Sequence, residues 1–97
     1  MAITTINPQK IIKKIEKTFK IALPHTIFDL RYDFTSDVLG IRFREYSDSI
    51  SDAIDEEGTI IGIYDVKTDE IVGLAILNLR IHLKEWKVDK VTPPKGT

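Results

Sequence analysis

Two stretches of this chain match each other at an offset of 32 residues: Tyr32-Asp33-Phe34-Thr35-Ser36-Asp37 and Tyr64-Asp65-Val66-Lys67-Thr68-Asp69. Each reads Tyr-Asp, two variable positions, Ser or Thr, then Asp, and each lies between runs of apolar, largely β-branched residues. Short acidic and hydroxyl side chains at loop edges bond to backbone N–H groups one or two residues further on, so the repeat reads as one turn used twice. It predicts two β-hairpins in series. The polar residues of the repeat are then accounted for by turn formation before any chemistry is invoked.

Alternation sets the expected registers, because side chains on one face of a strand pair with side chains on the same face of its neighbour. Phe28, Leu30 and Tyr32 alternate with Asp29 and Arg31, as Leu39, Ile41 and Phe43 do with Gly40 and Arg42. Pairing Tyr32 with Leu39, Leu30 with Ile41 and Phe28 with Phe43 leaves a four-residue loop, residues 34–37. The same parity in the second hairpin pairs Ile63 with Val72 and Ile61 with Leu74, leaving residues 66–69 and setting Gly62 opposite Gly73. In that register both faces of the second hairpin are apolar. Ile61, Ile63, Val72, Leu74 and Ile76 take one side, and Ile60, Gly62, Ile71, Gly73, Ala75 and Leu77 the other. A hairpin apolar on both sides must be covered twice, so the second set is the expected interface.

The clearest helix runs from residue 8 to about 21. Asn7 suits the N-cap, Pro8 the first helical position, and Ile6 and Ile11 are spaced as a hydrophobic staple. Ile12, Ile15, Phe19 and Ala22 recur every three or four residues with Ile11 beside them, while Lys10, Lys13, Lys14, Lys17 and Lys20 fill the rest of the circumference. Pro24 is expected to stop it. Residues 47–57 are acidic and read as a long connection or a short edge strand. Beyond Leu77, Leu79, Ile81 and Leu83 alternate like a strand, whereas Leu79, Leu83 and Trp86 match a helical face; an extended segment turning near Lys84 is the expectation. Residues 1–86 then form a single domain, and residues 87–97, with Pro93, Pro94 and Gly96, a flexible tail.

Ninety-seven residues with 42% apolar and 30% charged content suit one packed domain. The longest apolar run, Ile71–Leu77, is far short of the ~20 residues that span a bilayer, and the first residues lack a signal-peptide pattern. The chain has no cysteine, which excludes a disulfide framework and suits the cytoplasm. Residues 1–25 hold five Lys against one Glu, residues 26–70 twelve acids against four bases, and residues 71–97 five bases against two acids. Acidic hairpins between basic ends favour internal neutralisation over one large field.

Chemical motifs are sparse. His25 and His82 are the only histidines and lie far apart, and no nucleophile motif or glycine-rich phosphate loop is present. Asp48, Asp52, Asp55, Glu56 and Glu57 lack the spacing of a calcium loop, and Asp33, Asp37, Asp65 and Asp69 are turn residues before they are paired catalytic carboxylates. Neither a cofactor nor an enzymatic activity is expected. The five lysines of the first helix offer an alternative, nucleic-acid binding, which ranks lower because no aromatic is interleaved with them and the pI is near 6.1.

Leu30-Arg31-Tyr32-Asp33, Asp37-Val38-Leu39-Gly40-Ile41-Arg42-Phe43, Ile60-Ile61-Gly62-Ile63-Tyr64-Asp65 and Ile71-Val72-Gly73-Leu74-Ala75-Ile76-Leu77 together resemble the domain-of-unknown-function family 2283 of small bacterial and archaeal proteins. Gly40 stands where an aromatic is common in that family, and Ala75 where Glu often stands. The resemblance covers residues 28–77 and implies a fold rather than an activity; some members are encoded beside toxin-like proteins, which implies an antitoxin-like partner role. The sequence thus predicts an α+β domain, with an N-terminal amphipathic helix packed on an antiparallel sheet of two sequential hairpins. It is expected to act as a non-enzymatic interaction module, as a homodimer or with a protein partner and without a membrane, through Ile60, Gly62, Ile71, Gly73, Ala75 and Leu77.

Overall fold

The computed structural model describes residues 3–4, 6–88 and 91–92. The chain is α+β, with helix α1 (Pro8–Phe19), helix α2 (Leu79–Trp86) and a five-stranded antiparallel sheet of β2 (Asp29–Asp33), β3 (Val38–Arg42), β4 (Ser49–Ala53), β5 (Ile60–Asp65) and β6 (Ile71–Ile76). The sheet order is β2-β3-β6-β5-β4. A separate two-stranded ladder joins β1 (Ile3–Thr4) to β7 (Val91–Thr92). The tail expected from residue 87 otherwise lies largely outside the described residues.

Asn7 caps α1 by accepting from the amides of Gln9 and Lys10, and Pro8 follows at the first helical position, where its missing N–H costs nothing. Ile11, Ile12 and Ile15 are buried along one stripe. The helix ends earlier than Pro24 requires: Lys20 turns into the left-handed region at φ 56° and its amide, like that of Ile21, bonds back to the Glu16 carbonyl.

In the β2–β3 pair, Leu30 lies opposite Ile41 and Tyr32 opposite Leu39. Asp33 Oδ1 accepts from the amides of Thr35 and Ser36, Asp65 Oδ1 accepts from those of Lys67 and Thr68, and Asp37 and Asp69 close the two turns at φ 59° and 61°. The repeated motif therefore encodes the same turn twice. Asp and Asn tolerate that left-handed position better than most residues.

The expected register of β5 on β6 is wrong beyond the turn. Tyr64 faces Ile71, but the next pair is Ile63 with Gly73, followed by Gly62 with Leu74, Ile61 with Ala75 and Ile60 with Ile76. Val72 is thus an extra residue on β6, a β-bulge, while on the other side its carbonyl accepts from the Phe43 amide at 2.8 Å and the β3–β6 ladder stays unbroken. A one-residue slip exchanges the faces of a strand. Ile60 and Gly62 accordingly join Leu39, Ile41, Leu74 and Ile76 on the covered side, and Ile60 belongs to the core with Ile11, Ile12, Ile15, Leu79 and Leu83. Gly62 and Gly73 are not opposite each other.

Residues 79–86 are helical, which corrects the extended segment expected there, and residues 49–53 form an exposed edge strand on β5. α2 receives its cap from a distance. The Asp37 carbonyl accepts from the Leu79 amide, the Asp37 carboxylate accepts from the Arg80 amide at 3.1 Å, and Arg80 Nε pairs with it at 3.3 Å. Tyr32 donates its hydroxyl to the same carboxylate at 2.6 Å, and burial together with that acidic neighbour pushes the phenol up to about 12.

Gly62 and Gly73 are constrained differently. A Cβ at Gly73 would lie 2.9 Å from the Ile41 carbonyl oxygen, which is backbone in the centre of the sheet, whereas one at Gly62 would meet the tip of the Tyr64 ring, which can swing away. Gly73→Ala is therefore expected to destabilise the protein by about 1–3 kcal/mol, in the range of overpacked core sites, and Gly62→Ala by clearly less. Urea unfolding of the two variants checks the order.

Candidate functional site

Three features of the folded chain are candidates for function. The first is a cleft of about 380 Å³ between the C-terminal end of α1, the β4–β5 loop and α2, with Asp55, Glu57, Thr59, His82, Glu85 and Trp86 among its walls. Asp55 is buried. Its Oδ1 accepts from the amides of Thr59 at 2.9 Å and Ile60 at 2.8 Å, and its Oδ2 from the Thr59 hydroxyl at 2.5 Å. Burial pushes this carboxyl up, but the three hydrogen bonds outweigh it and hold the group below the usual carboxylate range.

Because the single hydroxyl proton of Thr59 goes to Asp55, the 2.8 Å contact between Thr59 Oγ1 and His82 Nε2 is one in which the imidazole N–H donates. The His82 ring stacks on Trp86 at 4.9 Å between centroids. An activated nucleophile needs the imidazole between carboxylate and hydroxyl, so that it can take the hydroxyl proton. Here the hydroxyl lies in the middle. The chain Asp55–Thr59–His82 fastens the β4–β5 loop to α2 and leaves no group poised for attack.

His25, the other histidine, bonds to Glu16 Oε1 at 2.7 Å, while Glu16 Oε2 accepts from the Leu23 amide at 2.9 Å. The Leu23 hydrogen bond, then His25, holds the Glu16 carboxyl below its ordinary value. This too is a fastening, here of the segment after α1 onto the helix. Among the described residues no three His, Asp or Glu side chains converge where they could hold a metal ion, and no helix is long and apolar enough to cross a membrane.

The second feature is the basic face of α1. Lys10, Lys13, Lys14 and Lys17 line a shallow groove of about 270 Å³, and Trp86 and Val88 from the end of α2 complete it. Lys20, the fifth lysine of that face, is the αL C-cap and lies outside the groove. Sequence spacing could not reveal that Trp86 comes to rest beside lysines some 70 residues earlier in the chain, since this follows from the helical course of residues 79–86.

The third feature is the sheet face turned away from the helices. Gly40, Arg42, Ile61, Ile63, Gly73 and Ala75 occupy it in its three central strands, as the direct pairs Gly40–Ala75, Ala75–Ile61 and Gly73–Ile63 require. Of the six residues expected at an interface, Gly73 and Ala75 lie on this face, Ile71 packs at the margin of the core, and Leu77 is half-buried just past the end of β6. Ile60 and Gly62 lie on the opposite, covered side. Ile61 and Ile63 replace them, and only knowledge of the bulge could have found them.

Removing the buried carboxylate in Asp55→Ala strands the Ile60 amide, so a loss of about 1–3 kcal/mol at neutral pH is expected in urea unfolding. Asp33, Asp65 and Glu16 have carboxyls lowered chiefly by backbone N–H donors, as Asp55 is by its own set. A depressed folded value stabilises above the unfolded one, near pH 4, and that stability is lost as pH falls through the folded value. The urea midpoint should therefore drop steadily between about pH 5 and pH 2. Asp55→Asn should flatten part of that slope. Comparison of the chain with protein-family models, with curated proteins and with solved structures finds no match.

Proposed function

We propose that this protein is a non-enzymatic interaction module that pairs with a second copy of itself through the uncovered face of its sheet. The observation that carries the reading is an apolar centre in a polar frame. Ile61, Ile63, Gly73, Ala75 and Gly40 lie in the middle strands with Arg42 at one end, and Asp29, Arg31 and Asp33 run along one edge strand and Ser49, Ser51 and Ala53 along the other. That is the anatomy of an interface, an apolar core within a charged or polar rim. Among the described residues both helices pack on the other side; on this one the Tyr46 ring lies over Arg42, and Ile61, Ile63 and Ala75 stay half-buried with no helix above them.

The small residues Gly40, Gly73 and Ala75 keep the centre flat, so a second sheet can approach to the usual spacing of about 10 Å. A two-fold axis through such a patch sets it against itself, and a rim carrying both signs of charge can then match across the axis. The motifs resembling the domain-of-unknown-function family 2283 bring no activity with them, so the reading rests on the surface. A cytoplasmic setting, suited to a chain without cysteine, belongs to the same proposal.

Sedimentation equilibrium at micromolar concentration should report about twice the 11.1 kDa chain mass. Ala75→Asp and Ile63→Asp, each placing a charge at the centre of the patch, should weaken association at least tenfold while circular dichroism stays unchanged. Gly73→Asp is a poor test, since any Cβ there strikes the Ile41 carbonyl. A strict monomer would contradict the proposal, as would variants that sediment like the parent.

A further inference from the structure

We infer that the groove between α1 and the end of α2 binds single-stranded nucleic acid, with Trp86 as a stacking surface for a base and Lys10, Lys13, Lys14 and Lys17 as contacts for the flanking phosphates. The four lysines stand at i, i+3, i+4 and i+7, which places them on one face of α1 along about 10 Å of its axis. Among the described residues none of them is in an ion pair. They therefore offer four cations on one face, Lys13 in part offset by the nearby Glu16 carboxylate, although the chain as a whole carries a net charge of −1.

Charge alone would suit any polyanion. The indole decides the class. Trp86 is half-buried and held on His82 by ring stacking, and His82 is itself fixed through Thr59 to Asp55, so the aromatic wall of the groove is anchored in advance. A fixed aromatic beside a row of cations is the arrangement with which proteins hold unpaired bases, since stacking is available only to a base outside a duplex. Trp86 also forms part of the neighbouring cleft with Glu57 and Glu85, whose carboxylates repel phosphate and confine a strand to the lysine side. The groove belongs to the helical layer, away from the uncovered sheet face, so it is open in monomer and dimer alike.

Trp86 is the only tryptophan of the chain, which makes its fluorescence a reporter of this one site. Titration with an oligothymidylate of roughly ten nucleotides, within the usual span of single-strand sites, should quench it saturably at about 50 mM salt. With four phosphate contacts the logarithm of the binding constant should fall with that of the salt concentration at a slope of about −3, and Lys13→Gln with Lys14→Gln should halve that slope. Trp86→Leu, read by anisotropy of a labelled strand and checked for folding by circular dichroism, should lose about tenfold in affinity or more. Absence of quenching, equal binding of the duplex, or equal quenching by inorganic polyphosphate would overturn the assignment.

Discussion

One unpaired residue on β6 determines what this surface can do. With Val72 bulged out of the β5–β6 ladder, β5 turns Ile60 and Gly62 toward the helices and Ile61 and Ile63 toward the outside. Without it, Ile61 and Ile63 would sit beneath α1 and α2. The outer face would then carry Ile60 and a glycine in their place. β4 follows β5, because its register is set on that strand, so the whole far half of the sheet depends on the same slip. The bulge also brings Ile63 against Gly73, whose missing side chain leaves room for the approach of the Ile41 carbonyl.

The second theme is the use of carboxylates as fasteners. Asp37 reaches from the β2–β3 turn to cap α2, Asp55 ties the β4–β5 loop and through Thr59 engages His82, and Glu16 holds the segment that carries Leu23 and His25. Each holds two or more partners, and among the described residues no three His, Asp or Glu side chains converge on a metal position. The elements so fastened present outward-facing surfaces. Two such surfaces remain, and they lie on opposite layers of the molecule.

Much of the architecture was legible in residue patterns that act locally. Asn7-Pro8 and the Ile11, Ile12, Ile15 stripe identify α1, because cap and amphipathic face are encoded within a dozen residues. The Tyr-Asp repeat identifies two turns, because an aspartate bonds to amides two and three residues on. What escaped depends on partners distant in sequence. α2 has no side-chain cap of its own at Asn78 and takes one from Asp37, so its start carries no local signal. The bulge escaped because both faces of β5 are apolar and parity cannot choose between them. The lysines were legible as a basic face, but their aromatic companion was not, since Trp86 reaches them only through a helix that itself escaped.

The central claim is that Ile61 and Ile63, not Ile60, face outward and meet their counterparts in a second molecule. Isotope-filtered NOE spectroscopy on a mixture of carbon-13-labelled and unlabelled protein tests it directly, because it reports methyl contacts between copies only. Cross-peaks between copies from the Ile61, Ile63 and Ala75 methyls are the predicted result. Their absence at concentrations where the protein is folded, or their appearance from Ile60 instead, would contradict the account.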